Sequence, residues 1–273
     1  MKLSVSNLAW LPEAEDEARR GLVRFGATGV EVAPTRLGAW DELSDERLKS
    51  YRRGCSAMGL SVSSLQAIFF GKPEAQLLGD EPSFEHMREH FKRIVAIGHT
   101  LGAGPVVFGA PKSRLRLGRA PAEAFELASV RLSLMADLAR DGDLTIAVEP
   151  VPTAYGGEFL NSFSEVQALV EAVAHPNLRP HLDVACVALG GDDIVKAVHT
   201  AASTLAHFHI SETDLAGFES ASVEHGRAAA ALRAADYRGW VCIEKLPGAG
   251  SGLPELEAAL AFAANVYGCI AAA

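Results

Sequence analysis

Eight times along this chain of 273 residues, an apolar run rich in β-branched residues gives way to a stretch with helical periodicity, and no break in composition interrupts the series. The strand-like runs are Leu3–Leu8, Gly29–Val32, Leu60–Gln66, Pro105–Phe108, Leu144–Glu149, Leu178–Asp183, Leu205–Ile210 and Trp240–Glu244. The periodic stretches are Ala14–Phe25, Asp45–Met58, Phe84–Leu101, Pro121–Arg140, Ser164–Ala174, Ile194–Ala202, Gly226–Ala235 and Pro254–Val266. Ser44 stands as N-cap before Asp45 and Glu46. Pro121 opens the fourth helix, where its missing N–H costs nothing, and Gly59 after Met58 suits a left-handed helix end. Eight β/α units in about 250 residues are the sequence image of a barrel, so the α/β fold expected is one (β/α)8 TIM barrel over residues 1–273. A doubly wound sheet would carry a glycine-rich phosphate turn after its first strand. Here that turn reads Asn7-Leu8-Ala9-Trp10-Leu11-Pro12, with no glycine.

Hydrophobic residues make up 49% of the chain, enough for a large core. No apolar run reaches membrane-spanning length, and Met1-Lys2-Leu3-Ser4 leads straight into strand-like sequence, which predicts a cytoplasmic protein without a membrane partner. With 25 basic against 34 acidic residues the net charge is −9, the wrong sign for neutralising phosphodiesters, so nucleic acid is not an expected partner. Cys55, Cys186, Cys242 and Cys269 show no C-x-x-C spacing and fit a reducing compartment. Cys242, mid-strand, and Cys269, near the end of the last helix, read as small hydrophobes. Leu/Ala-rich helices such as Pro121–Arg140 suit either the barrel exterior or the interface of a homo-oligomer.

The polar tips of runs five to eight carry Glu149, Asp183, His209 and Glu244. In a barrel these tips converge at the C-terminal mouth, where such sites lie. Three carboxylates and an imidazole suit one divalent metal ion, Mn2+, Mg2+ or Co2+, and can take Zn2+. Taken singly, each is equally a loop residue or a salt-bridged strand end. His207 and His209 share a face of their strand. His209, nearer the C-terminal end, is the expected ligand, while His207 and His181 are expected to be satisfied core histidines.

The motifs Gly29-Val30-Glu31-Val32-Ala33-Pro34, Val148-Glu149-Pro150, His181-Leu182-Asp183, His207-Phe208-His209-Ile210-Ser211-Glu212, Val223-Glu224-His225, Tyr237-Arg238-Gly239-Trp240 and Ile243-Glu244 extend this pattern. In them the whole chain resembles the xylose-isomerase-like TIM barrels, which include ketose 3-epimerases, hydroxypyruvate isomerase, inosose isomerases and dehydratases, and endonuclease IV. The resemblance implies a metal held by Glu149, Asp183, His209 and Glu244. It also implies that Glu149 and Glu244 flank a substrate carbon as acid and base, acting through a metal-stabilised enediolate. The activity expected is isomerisation or epimerisation of a small sugar, sugar phosphate or related polyhydroxylated carbonyl compound. A dehydratase or lyase on a related keto-polyol and a non-enzymatic sugar-binding barrel are the alternatives.

Two positions depart from the sugar-epimerase pattern. Cys186 stands where those enzymes place the histidine of Asp-x-x-His, and Leu215 where many place an arginine. Endonuclease IV needs further histidines that the third and fourth strand ends, Gln66-Ala67-Ile68 and Val107-Phe108-Gly109-Ala110, do not offer. Besides Cys186, three residues are candidates for substrate binding. Glu31 either contacts substrate or pairs with a base. Gln66 either donates to a hydroxyl or caps strand three. Trp10, with Phe70, either walls a sugar face or packs. The loop Gly248-Ala249-Gly250-Ser251-Gly252 can cradle a phosphate or simply connect. Lys112, Arg114 and Arg116 form a basic loop that meets either an acidic substrate or solvent.

Overall fold

The eight apolar runs close on themselves. In the computed structural model, which describes residues 1–248 and 250–268, they form a barrel of eight parallel strands in sequence order, the first pairing with the last. Ala249, in the glycine-rich loop, and Cys269 lie outside the described residues, so the expectations placed on them stay at the level of sequence. The strands are β1 (Lys2–Ser6), β2 (Gly29–Val32), β3 (Ser61–Leu65), β4 (Pro105–Phe108), β5 (Thr145–Val148), β6 (Leu178–Asp183), β7 (His207–Ile210) and β8 (Trp240–Ile243). The helices are α1 (Glu15–Arg24), α2 (Asp45–Ala57), α3 (Glu81–Leu101), α4 (Pro121–Asp141), α5 (Phe163–Val173), α6 (Val184–Leu189), α7 (Ile194–Ala201), α8 (His225–Ala234) and α9 (Leu253–Tyr267). None of them is long and apolar enough to cross a membrane.

Local chemistry sets these boundaries. Ser44 Oγ accepts from the Arg47 amide at 3.3 Å to start α2, and Gly59, at φ 77°, ends that unit. The chain enters α3 earlier than the apolar periodicity indicates, because Asp80 caps it by accepting from the Ser83 amide at 3.0 Å and Pro82 occupies the first turn. β1 stops at Ser6 rather than Leu8, since Ser6 Oγ takes the Leu8 amide at 3.1 Å and turns the chain into a short 3-10 segment. The short helix α6 has no counterpart in the expected elements.

One set of strand side chains packs the barrel against its helices. Val5, Val30, Val148, Phe208 and Ile243 are all fully buried, and each such side chain contributes about 1.5–3 kcal/mol on leaving water. The alternate set faces inward. Register aligns Ser6 with Glu31 and Glu31 with Ser64, and it aligns Asp183 with His209 and His209 with Cys242. The upper barrel interior is therefore polar, and Glu149 and Glu244 stand one residue beyond β5 and β8, at the mouth.

Candidate metal centre and active site

At the mouth the four expected ligands meet. One donor atom from each of Glu149, Asp183, His209 and Glu244 falls within 4.8 Å of all the others. His209 Nδ1 lies 3.0 Å from Glu244 Oε2, 3.8 Å from Asp183 Oδ2 and 4.0 Å from Glu149 Oε1, yet among the described residues it makes no hydrogen bond. Asp183 is fixed by local structure as well, because its Oδ1 accepts from the Cys186 amide at 2.7 Å and caps α6. Three carboxylates, Asp183 buried and Glu149 and Glu244 largely so, converge on an imidazole nitrogen that makes no hydrogen bond among the described residues, a set of hard oxygen and nitrogen donors that a divalent cation would fit.

The protonation tendencies follow from that crowding. Burial, then the charges of Asp183 and Glu244, push the Glu149 carboxyl well above its usual range. Burial also raises Glu244, against the opposing pull of His209. Burial by itself would lower His209, but Glu31 and Glu244 outweigh it and hold the imidazole well above its ordinary value.

Beneath the ligands lies a hydrogen-bonded layer. Glu31 is fully buried and lies 3.0 Å from both His207 Nε2 and His209 Nε2. Ser64 Oγ donates to it at 2.7 Å and Gln66 Nε2 at 2.9 Å. With its Nε2 directed at Glu31, His209 presents Nδ1 to the other three ligands, an arrangement that fixes the tautomer of a metal-binding histidine. Burial would raise Glu31, yet His209 and the bond from His207 hold its carboxyl well below the usual range.

Of the alternatives left open for the candidate substrate contacts, the structure places most of these residues in the packing around the site. Glu31 and Gln66 are committed to each other and to the layer under His209, and neither lines the cavity above the ligands. Trp10 is fully buried, with its indole N–H donating to Glu15 Oε2 at 2.6 Å, and it forms no wall of that cavity. Phe70 is 69% exposed and does not line it either. His181 is buried as expected but not satisfied: neither ring nitrogen has a hydrogen-bond partner among the described residues, and the ring packs edge-on against His209 at 4.2 Å. Burial and the neighbouring histidines hold it well below its ordinary pKa, hence neutral. Arg114 belongs to no solvated loop, being 1% exposed. Burial pushes its guanidinium down to about 10, with the charge of Glu149 opposing.

Cys186 does line the cavity, which has a volume of about 350 Å³. Burial, then Asp183 and Glu149, push its thiol well up, so it presents a neutral S–H. Ala110, Pro111, Val151, Ala185 and Leu215 give the walls an apolar character. Tyr155 and Glu212, which the sequence pattern left without a role, also border the space. The Tyr155 hydroxyl accepts from the Asp214 amide at 2.8 Å. Glu212 lies 2.8 Å from His225 Nε2 and accepts from the Ser222 amide at 2.9 Å, which ties the loop after β7 to α8.

Comparison with known proteins agrees with the barrel fold. A probable ketose 3-epimerase of Synechocystis sp. is 26% identical over 251 residues, covering 89% of this chain and 84% of the relative. Among solved structures, a D-psicose 3-epimerase crystallised in the presence of D-fructose superposes with a TM-score of 0.82 at 19% identity, covering 98% of this chain and 100% of that one. The IOLI protein with a binding zinc atom superposes at 0.78 and 18% identity, each chain covered in full. The family model for the xylose isomerase-like TIM barrel matches residues 20–264, and this chain belongs to that family.

Proposed function

We propose that this protein is a metal-dependent epimerase or isomerase of a small polyhydroxylated ketone, with one divalent cation held by Glu149, Asp183, His209 and Glu244. The observation that carries the reading is the gathering of three carboxylates that line an open cavity, Glu149, Asp183 and Glu244, around a His209 Nδ1 that makes no hydrogen bond among the described residues. The ketose 3-epimerase relatives and the zinc-bound neighbour of the same fold support it. When bound, the cation would supply Lewis-acid stabilisation of negative charge on the substrate carbonyl oxygen and offset the repulsion between the acids that hold it.

The residues divide the remaining work. Glu149 and Glu244 come from β5 and β8 and can approach a bound carbon from different sides. One carboxylate takes the proton from the carbon beside the carbonyl, and the electron pair moves into the new C–C double bond as the carbonyl π pair moves onto oxygen. The other, protonated at the start, delivers its own proton to that carbon from the opposite face as the oxygen pair re-forms the carbonyl, giving the ketone with inverted configuration. Glu31, through His209 Nε2, keeps Nδ1 aimed at the centre. Ala110, Pro111, Val151 and Leu215 give the cavity beside these acids apolar walls.

Incubating Mn2+-loaded protein with a panel of ketoses in D2O tests the reading by NMR. Deuterium should enter at the carbon beside the carbonyl as the epimer accumulates. Glu149→Gln and Glu244→Gln should each lower turnover by about 10²–10⁴-fold. Absence of exchange in every ketose, or full turnover in either variant at saturating metal, refutes it.

A further inference from the structure

The loop after β4 buries a guanidinium that this chemistry leaves unused. Arg114 Nη1 donates to the main-chain carbonyl of Glu149 at 3.0 Å. The guanidinium carbon lies 5.3 Å from the centroid of the Phe108 ring, while Nε and Nη2 have no hydrogen-bond partner among the described residues. Burying an arginine with so few partners is costly to the fold, which directs attention to the one bond it makes.

That bond replaces a missing rung of the sheet. Thr145 N–H donates to Gly104 O at 3.1 Å, and four residues on, Glu149 N–H donates to Phe108 O at 3.3 Å. In a parallel ladder a residue that donates to position j−1 of its neighbour accepts from position j+1. The Glu149 carbonyl would therefore take the Ala110 amide. Ala110, however, lies in the left-handed region at φ 35° and is followed by Pro111, so the chain turns away. Arg114 reaches back and fills the place of that amide. Pro150, next in sequence, has no N–H with which to anchor the segment from the other side.

We propose that Arg114 is a positioning residue for Glu149: by holding the peptide just past the end of β5, it fixes the direction in which the Glu149 carboxylate enters the cavity. The proposal rests on the reading of Glu149 as ligand and acid–base group. Arg114→Met keeps the length and loses the donor, Arg114→Gln is too short to reach the carbonyl, and Arg114→Lys keeps a donor.

Mn2+ affinity, kcat, KM and thermal stability are measured for each variant, and a crystal structure is determined for the methionine or glutamine form. The methionine and glutamine variants should bind Mn2+ more weakly and turn over more slowly, each by about 10–100-fold, with KM little changed. Lysine should restore part of both losses, and the crystal structure should show the Glu149 carboxylate displaced. If the methionine variant does not fold, the glutamine variant carries the comparison. A lower melting temperature with wild-type Mn2+ affinity and kcat, or an unmoved Glu149, overturns the proposal. Should the wild-type protein neither bind Mn2+ nor exchange protons in any ketose, the proposed function falls, and the position of Glu149 in the variant structure alone decides the role of Arg114.

Discussion

Adding a single methyl group at Gly109 should disable the site while leaving the fold intact. Gly109 borders the cavity opposite Glu149. An ideal Cβ built there would fall well inside the contact distance of Glu149 Oε2, while standing 3.4 Å from its Cδ and 3.9 Å from Val151 Cγ2. Carbon and oxygen settle at roughly 3.3–3.5 Å, so the carboxylate must retreat by about 1 Å. For stability the change is cheap. Gly109 is not in the left-handed region, the clashing atom ends a flexible side chain, and alanine reduces the freedom of the unfolded chain, worth about 0.4–1 kcal/mol. For function it is not, since a displacement of about 1 Å at a reacting group can cost about 10²-fold in rate. Gly109→Ala should therefore melt within a few degrees of wild type yet exchange ketose protons about 100-fold more slowly and bind Mn2+ more weakly. Wild-type kcat and Mn2+ affinity in this variant would show that the placement of Glu149 Oε2 beside Gly109 does not matter to the reaction.

Two further outcomes follow from the site. In the metal-free protein, Glu149, Glu244 and His209 all have raised pKa values, so above the ordinary values of 4.5 for the carboxyls and 6.5 for the imidazole these three groups keep protons in the folded state that they lose in the unfolded one, while the lowered His181 and His207 act in the opposite sense below 6.5. The contribution of these three groups to stability then falls with rising pH, and the stabilisation by Mn2+, which competes with their protons, should grow from pH 6 to pH 8. At a hundredfold excess over Kd it reaches about 2.7 kcal/mol, roughly 5–10 °C in a melting scan; a Mn2+ shift that does not grow with pH contradicts the charge assignment. Because the neutral thiol of Cys186 is a weak hydrogen-bonding partner, fructose and tagatose should be poor substrates and Cys186→His should improve their turnover. Efficient use of unmodified hexuloses by wild type, unaffected by the substitution, would remove Cys186 from substrate choice.

What the sequence made legible was whatever depends on period and order. Alternating apolar runs and helical stretches specify the barrel, and a polar residue at the end of each late strand brings Glu149, Asp183, His209 and Glu244 together, because parallel strands send their C-terminal ends to one mouth. Depth was harder to read. Glu31 lies within β2 and Glu149 one residue beyond β5, so two glutamates at similar-looking strand ends occupy different layers, one under His209 and one beside it. Trp10 and Arg114 were misplaced for a related reason, since loop sequence does not reveal whether a side chain turns inward to Glu15 or to the Glu149 carbonyl. The helix α6 was hidden because its six residues, Val184–Leu189, are apolar on every side and show no helical period, although Asp183 three residues before Cys186 is a capping pattern.

That cap also affects how the centre responds to losing its ion. One oxygen of Asp183, Oδ1, accepts from the start of α6, while the other, Oδ2, is the one 3.8 Å from His209 Nδ1. The carboxylate's orientation belongs to the backbone and is set before anything binds. Loading the proposed cation and removing it would thus change the charge at the end of β6 without reshaping that strand.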